Sequence, residues 1–311
     1  MRNIATSIRP LLILVALAAA LAGCSIRRLA VGVISDSLAG GGDVYASDDD
    51  PDLVREAIPF GLKTYEGLLD ASPDDRRLLL ALAKGFTVYA YLLQDEADRI
   101  DAGDRTGARR LRDRAARLYR RGRDYALRGL EVDHPGFEGK LRHDRAAAIA
   151  GATVGDVPLL YWAAAGWAGA VSANPDDLDL VAELPLAGAL MDRVLALDES
   201  HDGGAAHQFF ISFEGSRPGG SAQQARKHFD RALALSKGRR ASVYVALAES
   251  VSVREQNLAE FRTLIAAALA VDPDRDPAQR IANTIAIRRA RWLESRESDL
   301  FVTIESEGAS Q

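Results

Sequence analysis

Histidine, cysteine and paired acids are the side chains with which a chain can hold a metal or do acid–base chemistry, and here they are sparse and poorly spaced. The five histidines are His134, His143, His201, His207 and His228. No two stand four residues apart, the spacing that puts two imidazoles on one helical face, and the single cysteine, Cys24, lies far from all of them in sequence. His134-Pro135 reads instead as the end of a helix. The acidic run Asp48-Asp49-Asp50-Pro51-Asp52 lacks the glycine and later glutamate of a calcium loop. Acids just before a proline read as the cap and first turn of a helix. No glycine-rich loop follows a strand and there is no Gly-x-Ser-x-Gly elbow. Gly219-Gly220-Ser221 reads as a loop ahead of a helix over 222–235. The sequence therefore points to no catalytic residue, no metal and no cofactor, and to a protein that is not an enzyme.

One residue does carry recognisable chemistry. Arg2 and Arg9 precede a continuous apolar run over residues 11–22, too short for a bilayer span and right for the core of a signal peptide. The run ends in Leu21-Ala22-Gly23-Cys24, the small-residue pattern of a bacterial lipobox, in which the cysteine becomes the acylated N-terminus. Acyl chains contribute about 0.8 kcal/mol per buried methylene, so several on one residue hold a chain firmly on a membrane. The expected organisation is a lipoprotein signal peptide over 1–23, a lipidated segment over 24–50 with a short helix inside 25–43 stopping at Gly40-Gly41-Gly42, and one helical domain over 51–311. Ser25 after the cysteine slightly favours the outer membrane over the inner. The chain carries 39 Lys and Arg against 44 Asp and Glu, a net charge of −5, and loss of Arg2 and Arg9 makes the mature chain more acidic still. With no second cysteine to form a disulfide, stability must come from a core, and 48% hydrophobic residues suffice for a large one.

Two further stretches invite a function. Residues 156–177, DVPLLYWAAAGWAGAVSANPDD, hold two of the three tryptophans, Trp162 and Trp167, with Tyr161 among alanines and glycines. A helix apolar all round must be buried on several sides. It reads equally as core or as the wall of an apolar cavity, with Phe209, Phe210 and Phe213 as candidates for the opposite wall. Its centre of Ala and Gly is too weakly apolar for a second membrane span. The ten arginines within 105–128 lie on the faces away from Leu111, Ala115, Leu118, Tyr119, Gly122, Ala126 and Gly129, with Asp104, Asp113 and Asp124 among them. They read as a solvated or salt-bridged face, with contact to a partner protein or anionic headgroups as the second reading, and nucleic acid is not expected for an exported acidic chain.

These candidates must be positioned by helices, because nearly everything after Asp50 is rich in Ala, Leu, Arg and Asp with no sustained alternation. Gly61-x3-Tyr65-x2-Leu68-x4-Pro73 puts a small residue, an aromatic and an aliphatic on one face and ends at proline. Phe261-x3-Ile265-x2-Ala268-x4-Pro273 repeats the spacing, and Ala225-x3-Phe229-x2-Ala232 repeats it locally. Weaker copies are Leu127, Leu130 and Pro135, and Ala187, Met191 and Val194. Helix ends are expected near 73, 135, 199, 237 and 273, the last intervals close to one tetratricopeptide pair and the first two leaving room for an additional pair each. Small residues let paired helices approach while larger ones fill the next groove. The predicted fold is all-α, a tetratricopeptide-like solenoid of helical pairs enclosing an apolar cavity or pore.

The chain resembles the T component associated with TRAP transporters, the TatT-like family of tetratricopeptide lipoproteins. The resemblance rests on the lipobox at Cys24, Asp50-Pro51-Asp52-Leu53-Val54-Arg55 with Ala57 and Pro59, and Leu159-Leu160-Tyr161-Trp162. It continues through Leu195-Ala196-Leu197-Asp198-Glu199, Gly204-Ala205-Ala206-His207, Phe229-Asp230-Arg231-Ala232-Leu233, Asp272-Pro273, Asn283 and Arg289-Ala290. It implies a helical protomer with a hydrophobic cavity or pore, assembly as a trimer, and association with a periplasmic substrate-binding P component. The implied role is to hold or pass an apolar or organic-acid ligand. A general tetratricopeptide adaptor of the cell envelope, with no ligand of its own, is the competing expectation.

Overall fold

The computed structural model describes residues 42–302. Cys24, the leader and most of the segment over 25–43, with the short helix expected inside it, lie outside them; the first described helix is α1 (Gly42–Ala46). Among the described residues there is no strand, and no helix is long and apolar enough to cross a membrane.

Asp50 caps α2 (Pro51–Ala71), its carboxylate accepting from the Asp52 and Leu53 amides, with Pro51 in the first turn. A short turn leads to Asp75, which caps α3 (Arg76–Ile100), and another to Asp104, which caps α4 (Arg105–Asp133). Such side-chain caps satisfy amides that the first turn leaves without partners. The interval between the first two expected helix ends therefore holds one long pair, of 25 and 29 residues, and no additional pair. The next interval does hold extra elements. After His134, whose amide closes α4 on the Leu130 carbonyl, come α5 (Phe137–His143), α6 (Arg145–Ala150), α7 (Val157–Ala173), α8 (Leu178–Ala182) and α9 (Leu184–Leu197).

Beyond the 3-10 turn His201–Gly203 the helices are shorter: α10 (Ala205–Ser216), α11 (Ala222–Ser236) capped by Ser221, and α12 (Ala241–Leu247), which runs into a π turn at Ala248–Ser252. Then follow α13 (Leu258–Leu269), α14 (Arg280–Ser295) and α15 (Glu297–Leu300). The ends at Ala71, Asp133, Leu197, Ser236 and Leu269 match the positions read from the repeats.

Two apolar clusters fill the interior. The larger spans α2, α3, α4, α7, α9 and part of α10, and the smaller spans α10 to α14. Ala225, Ala232 and Ala268 are buried in the smaller cluster, as the repeat register requires, and Ala187, Met191 and Val194 are fully buried in the larger. The first copy sits one residue off. Val54, Ile58, Leu62 and Leu69 face the core, while Gly61, Tyr65 and Leu68 flank it, half-buried. Finally α14 returns to the start of the chain: Ile285 joins the larger cluster, Arg280 donates to the Ser47 carbonyl, and Arg288 pairs with Asp52 and Asp95.

Candidate functional site

The aromatic stretch forms α7, packed on α4 through glycine. A Cβ on Gly166 would stand 2.9 Å from the Arg123 amide nitrogen and 3.0 Å from the Tyr119 carbonyl oxygen, and one on Gly169 would overlap the Tyr119 ring. Only glycine permits this approach, which places Trp167 at the centre of the larger cluster with no exposed surface. Its indole N–H donates to Glu183 Oε2 at 3.1 Å, and the guanidiniums of Arg123 and Arg142 lie 4.9 and 5.5 Å from its ring centre. Glu183 is itself paired with Arg142. Trp167 is thus a closed core residue whose one polar atom is satisfied.

Trp162 and Tyr161 emerge on the other side of α7. Both are half-buried, and their rings meet edge to face at 5.1 Å. Tyr161 also lies 5.7 Å from the His201 ring. Phe209, Phe210 and Phe213 form their own cluster on α10, with centroids 5.3 to 5.7 Å apart. Phe213 presses on α9, where a Cβ on Gly188 would meet it at 3.0 Å. The structure brings both aromatic sets into the larger apolar cluster.

Behind Phe210 lies a polar chain that the spacing of the histidines does not reveal. His228 stacks on Phe210 at 4.9 Å, and its Nδ1 is 2.9 Å from Nδ1 of His207. His207 Nε2 lies 3.0 Å from Glu199, which also accepts two hydrogen bonds from Arg231. Burial first, and then the neighbouring His207, hold His228 below the usual imidazole value. His207 and His228 stand 21 residues apart, so no local spacing signals the pair. Among the described residues no group of three or more His, Cys, Asp or Glu could hold a metal.

A further set of side chains on several helices is not singled out by the sequence. On α3, Lys84, Val88, Tyr91 and Asp95 recur at helical spacing on one side. Tyr91 is 43% exposed, yet burial of its hydroxyl end, reinforced by the Asp95 carboxylate, raises its pKa. Tyr161 behaves alike: burial, with the Asp202 carboxylate adding to it, pushes its hydroxyl up to about 12. Asp202 has a left-handed backbone (φ 42°, ψ 52°), rare for a non-glycine residue. Arg240 donates to its carboxylate at 2.5 Å and Gln279 at 3.3 Å. Burial raises its pKa, but Arg240 outweighs that, and His201 and Lys84 help to hold the carboxyl below its ordinary range. At the far end of the α3 stripe, Asp95 is buried between Arg99, Arg288 and Arg289, and Arg289 continues to Asp98 and Glu249.

The arginine-rich helix α4 keeps Ala115, Tyr119, Gly122 and Ala126 inside. Part of its arginine set is paired, as expected for a salt-bridged face: Arg112 with Asp98 and Asp101, Arg120 with Asp177, and Arg121 with Glu66.

The family model for the TRAP transporter T-component matches residues 47–301. A relative described only as uncharacterized, from Treponema pallidum (strain Nichols), is 29% identical over 303 residues, covering 90% of this chain and 94% of the relative. The helical architecture and a match over nearly the whole described chain agree, and the chain belongs to the TRAP transporter T-component family.

Proposed function

We propose that this chain is a non-enzymatic envelope lipoprotein, anchored through Cys24, that assembles as a trimer. It holds an amphiphilic or apolar ligand on an inner concave wall and passes it to a periplasmic substrate-binding protein of a TRAP-type transporter. Family membership implies association with such a transporter and thereby the cell envelope. The observation that carries the ligand role is the cluster of polar groups beside the exposed side of α7: Arg240 and Gln279 both donate to Asp202, and the half-buried Tyr161 ring lies 5.7 Å from His201 and 5.1 Å from Trp162. Lys84, Arg240 and Gln279 converge on Asp202 from three separate segments, and Trp162 adds an apolar ring beside Tyr161. A few convergent polar groups beside aromatic rings are what a ligand wall requires.

The test is a titration of the full chain with a neutral apolar fluorophore, N-phenyl-naphthylamine, followed both by its emission and by transfer from tryptophan. Saturable binding that weakens in Trp162→Ala and Tyr161→Ala is expected. A linear, non-saturable response in the wild-type chain would remove the ligand role and leave the adaptor reading.

A further inference from the structure

The outward line of α4 is a row of arginines that the fold uses only in part. Taking Arg110 as origin and 100° per residue, Arg114, Arg117, Arg121 and Arg128 fall within an arc of about 60°, and the row is about 27 Å long. It lies opposite the buried line of Ala115, Tyr119, Gly122 and Ala126. All five arginines are exposed. Arg121 pairs with Glu66, Arg128 donates to the Pro73 carbonyl, and Arg114 sits over the Tyr89 ring. Arg110 and Arg117 have no ion-pair partner among the described residues. Arg110 and Arg114, Arg114 and Arg117, and Arg117 and Arg121 are three or four residues apart, so like charges are neighbours along the row. Such pairs work against a helix, where oppositely charged pairs would support it. Asp113 and Asp124 stand three or four residues from Arg110, Arg117, Arg121 and Arg128 and offset part of that repulsion, but the row keeps a positive excess, five cations to two acids.

We propose that the outward face of α4 lies against an anionic phospholipid headgroup surface, with the guanidiniums of Arg110, Arg114 and Arg117 on the phosphates. Among the other positions on this side, Thr106, Asp113 and Asp124 are exposed and Tyr125 and Val132 are half-buried, so no apolar side chain on it is fully exposed. A protein partner would find a polar rim with no core to anchor it, because interface energy concentrates in a few buried aromatic or apolar residues. Headgroups need only the cations, and a straight row on a long helix matches a flat surface. The chain as a whole carries −5, so the row is a local reversal of sign and orients the molecule rather than merely attracting it. This inference does not depend on the ligand reading.

The test is arginine footprinting with phenylglyoxal on the full chain floated with vesicles of phosphatidylcholine alone or containing about one-third phosphatidylglycerol. In the vesicle-bound fraction, modification at Arg110 and Arg117 is compared by mass spectrometry with that at Arg254 and Arg291, which are exposed elsewhere. The anionic vesicles should slow modification at Arg110 and Arg117 about fivefold relative to Arg254 and Arg291, the factor that corresponds to the attraction of one cation near an acidic leaflet. The protection should vanish at about 1 M salt. In Arg117→Glu, whose side chain has no partner to lose in the fold, protection at Arg110 should fall while the melting temperature holds. Equal rates on both vesicles, as an acidic protein occupant would give, or a chain that floats with neither, would overturn the proposal.

Discussion

Replacing Trp167 by alanine tests whether α7 is held by a filled core at that point. The indole has no exposed surface and is enclosed by α4, α5 and Glu183. Truncating a fully buried aromatic costs about 3–5 kcal/mol, because the burial is lost and a void remains. The polar part adds little. Glu183 keeps its pairing with Arg142, so losing the indole N–H forfeits only an ordinary hydrogen bond, about 1 kcal/mol. Loss of the two guanidinium contacts adds about 0.5–1 kcal/mol each at most. A total of about 4–8 kcal/mol follows, the parts being only roughly additive. Trp162 is half-buried and makes one edge-to-face ring contact, so Trp162→Ala should cost about 1–2 kcal/mol. Trp167→Phe keeps most of the ring and should fall between the two. Urea titrations followed by circular dichroism, with an unchanged slope as the check that the unfolded states compare, give these differences directly. Equal losses for Trp162→Ala and Trp167→Ala, or a loss below about 1.5 kcal/mol for Trp167→Ala, would refute the assignment of core and wall.

Four further outcomes are expected. Ala232→Leu and Ala268→Leu, at fully enclosed small positions of the repeat, should each cost about 1–3 kcal/mol by overpacking; unchanged melts would contradict the register. Asp156 is buried, which raises its pKa, but bonds from the Thr153 backbone, His134, the Thr153 hydroxyl and Arg76 prevail and bring it to about 2. Its stabilisation of roughly 1–2 kcal/mol is therefore complete above about pH 4 and fades as pH falls towards 2, and Asp156→Asn should flatten that limb of a stability-versus-pH curve. His228, held below its usual value, favours the neutral form, so stability from this group is present above pH 6.5 and is lost as pH falls through the lowered value; NMR titration of the ring carbons reads that value directly, and a midpoint at or above 6.5 would exclude the burial argument. Mass spectrometry of the mature N-terminus should show an acylated Cys24, and Cys24→Ala should release the chain from membranes or stall its processing.

Local signals carried a good part of the fold. Asp50 before Pro51, Ser221 before α11 and His134 after α4 are helix ends that read from residue types alone, because capping is decided within one turn. The burial of Ala187, Ala225, Ala232 and Ala268 likewise followed from small residues recurring at helical spacing. Length was less legible. The interval from 73 to 135, nearly twice a tetratricopeptide pair, leaves room for an additional pair, but α3 and α4 are simply long, at 25 and 29 residues, and Gly85 and Gly122 serve their packing on neighbouring helices. A Cβ on Gly122 would stand 2.5 Å from Thr87 Oγ1 and 2.9 Å from the Ala83 carbonyl oxygen. The sequence places Gly122 on a helix face; only the neighbouring α3 shows why no larger residue fits there.

The side chains that matter most to the proposed role are the ones local pattern could not reach. Arg288 and Asp95 are separated by 193 residues and meet only because α14 returns to α3. In a chain with 39 basic and 44 acidic side chains, no spacing rule selects that pair. Yet the consequence is specific. An aspartate buried at the end of the Lys84, Val88, Tyr91 stripe is tolerable only with cations beside it, here Arg99 from its own helix and Arg288 and Arg289 from α14, since an unpaired buried carboxylate would cost several kcal/mol. The two cations from α14 tie that helix to α3 one turn from Tyr91, which is 43% exposed. The surface beside Tyr91 therefore depends on a contact between two helices that share no motif.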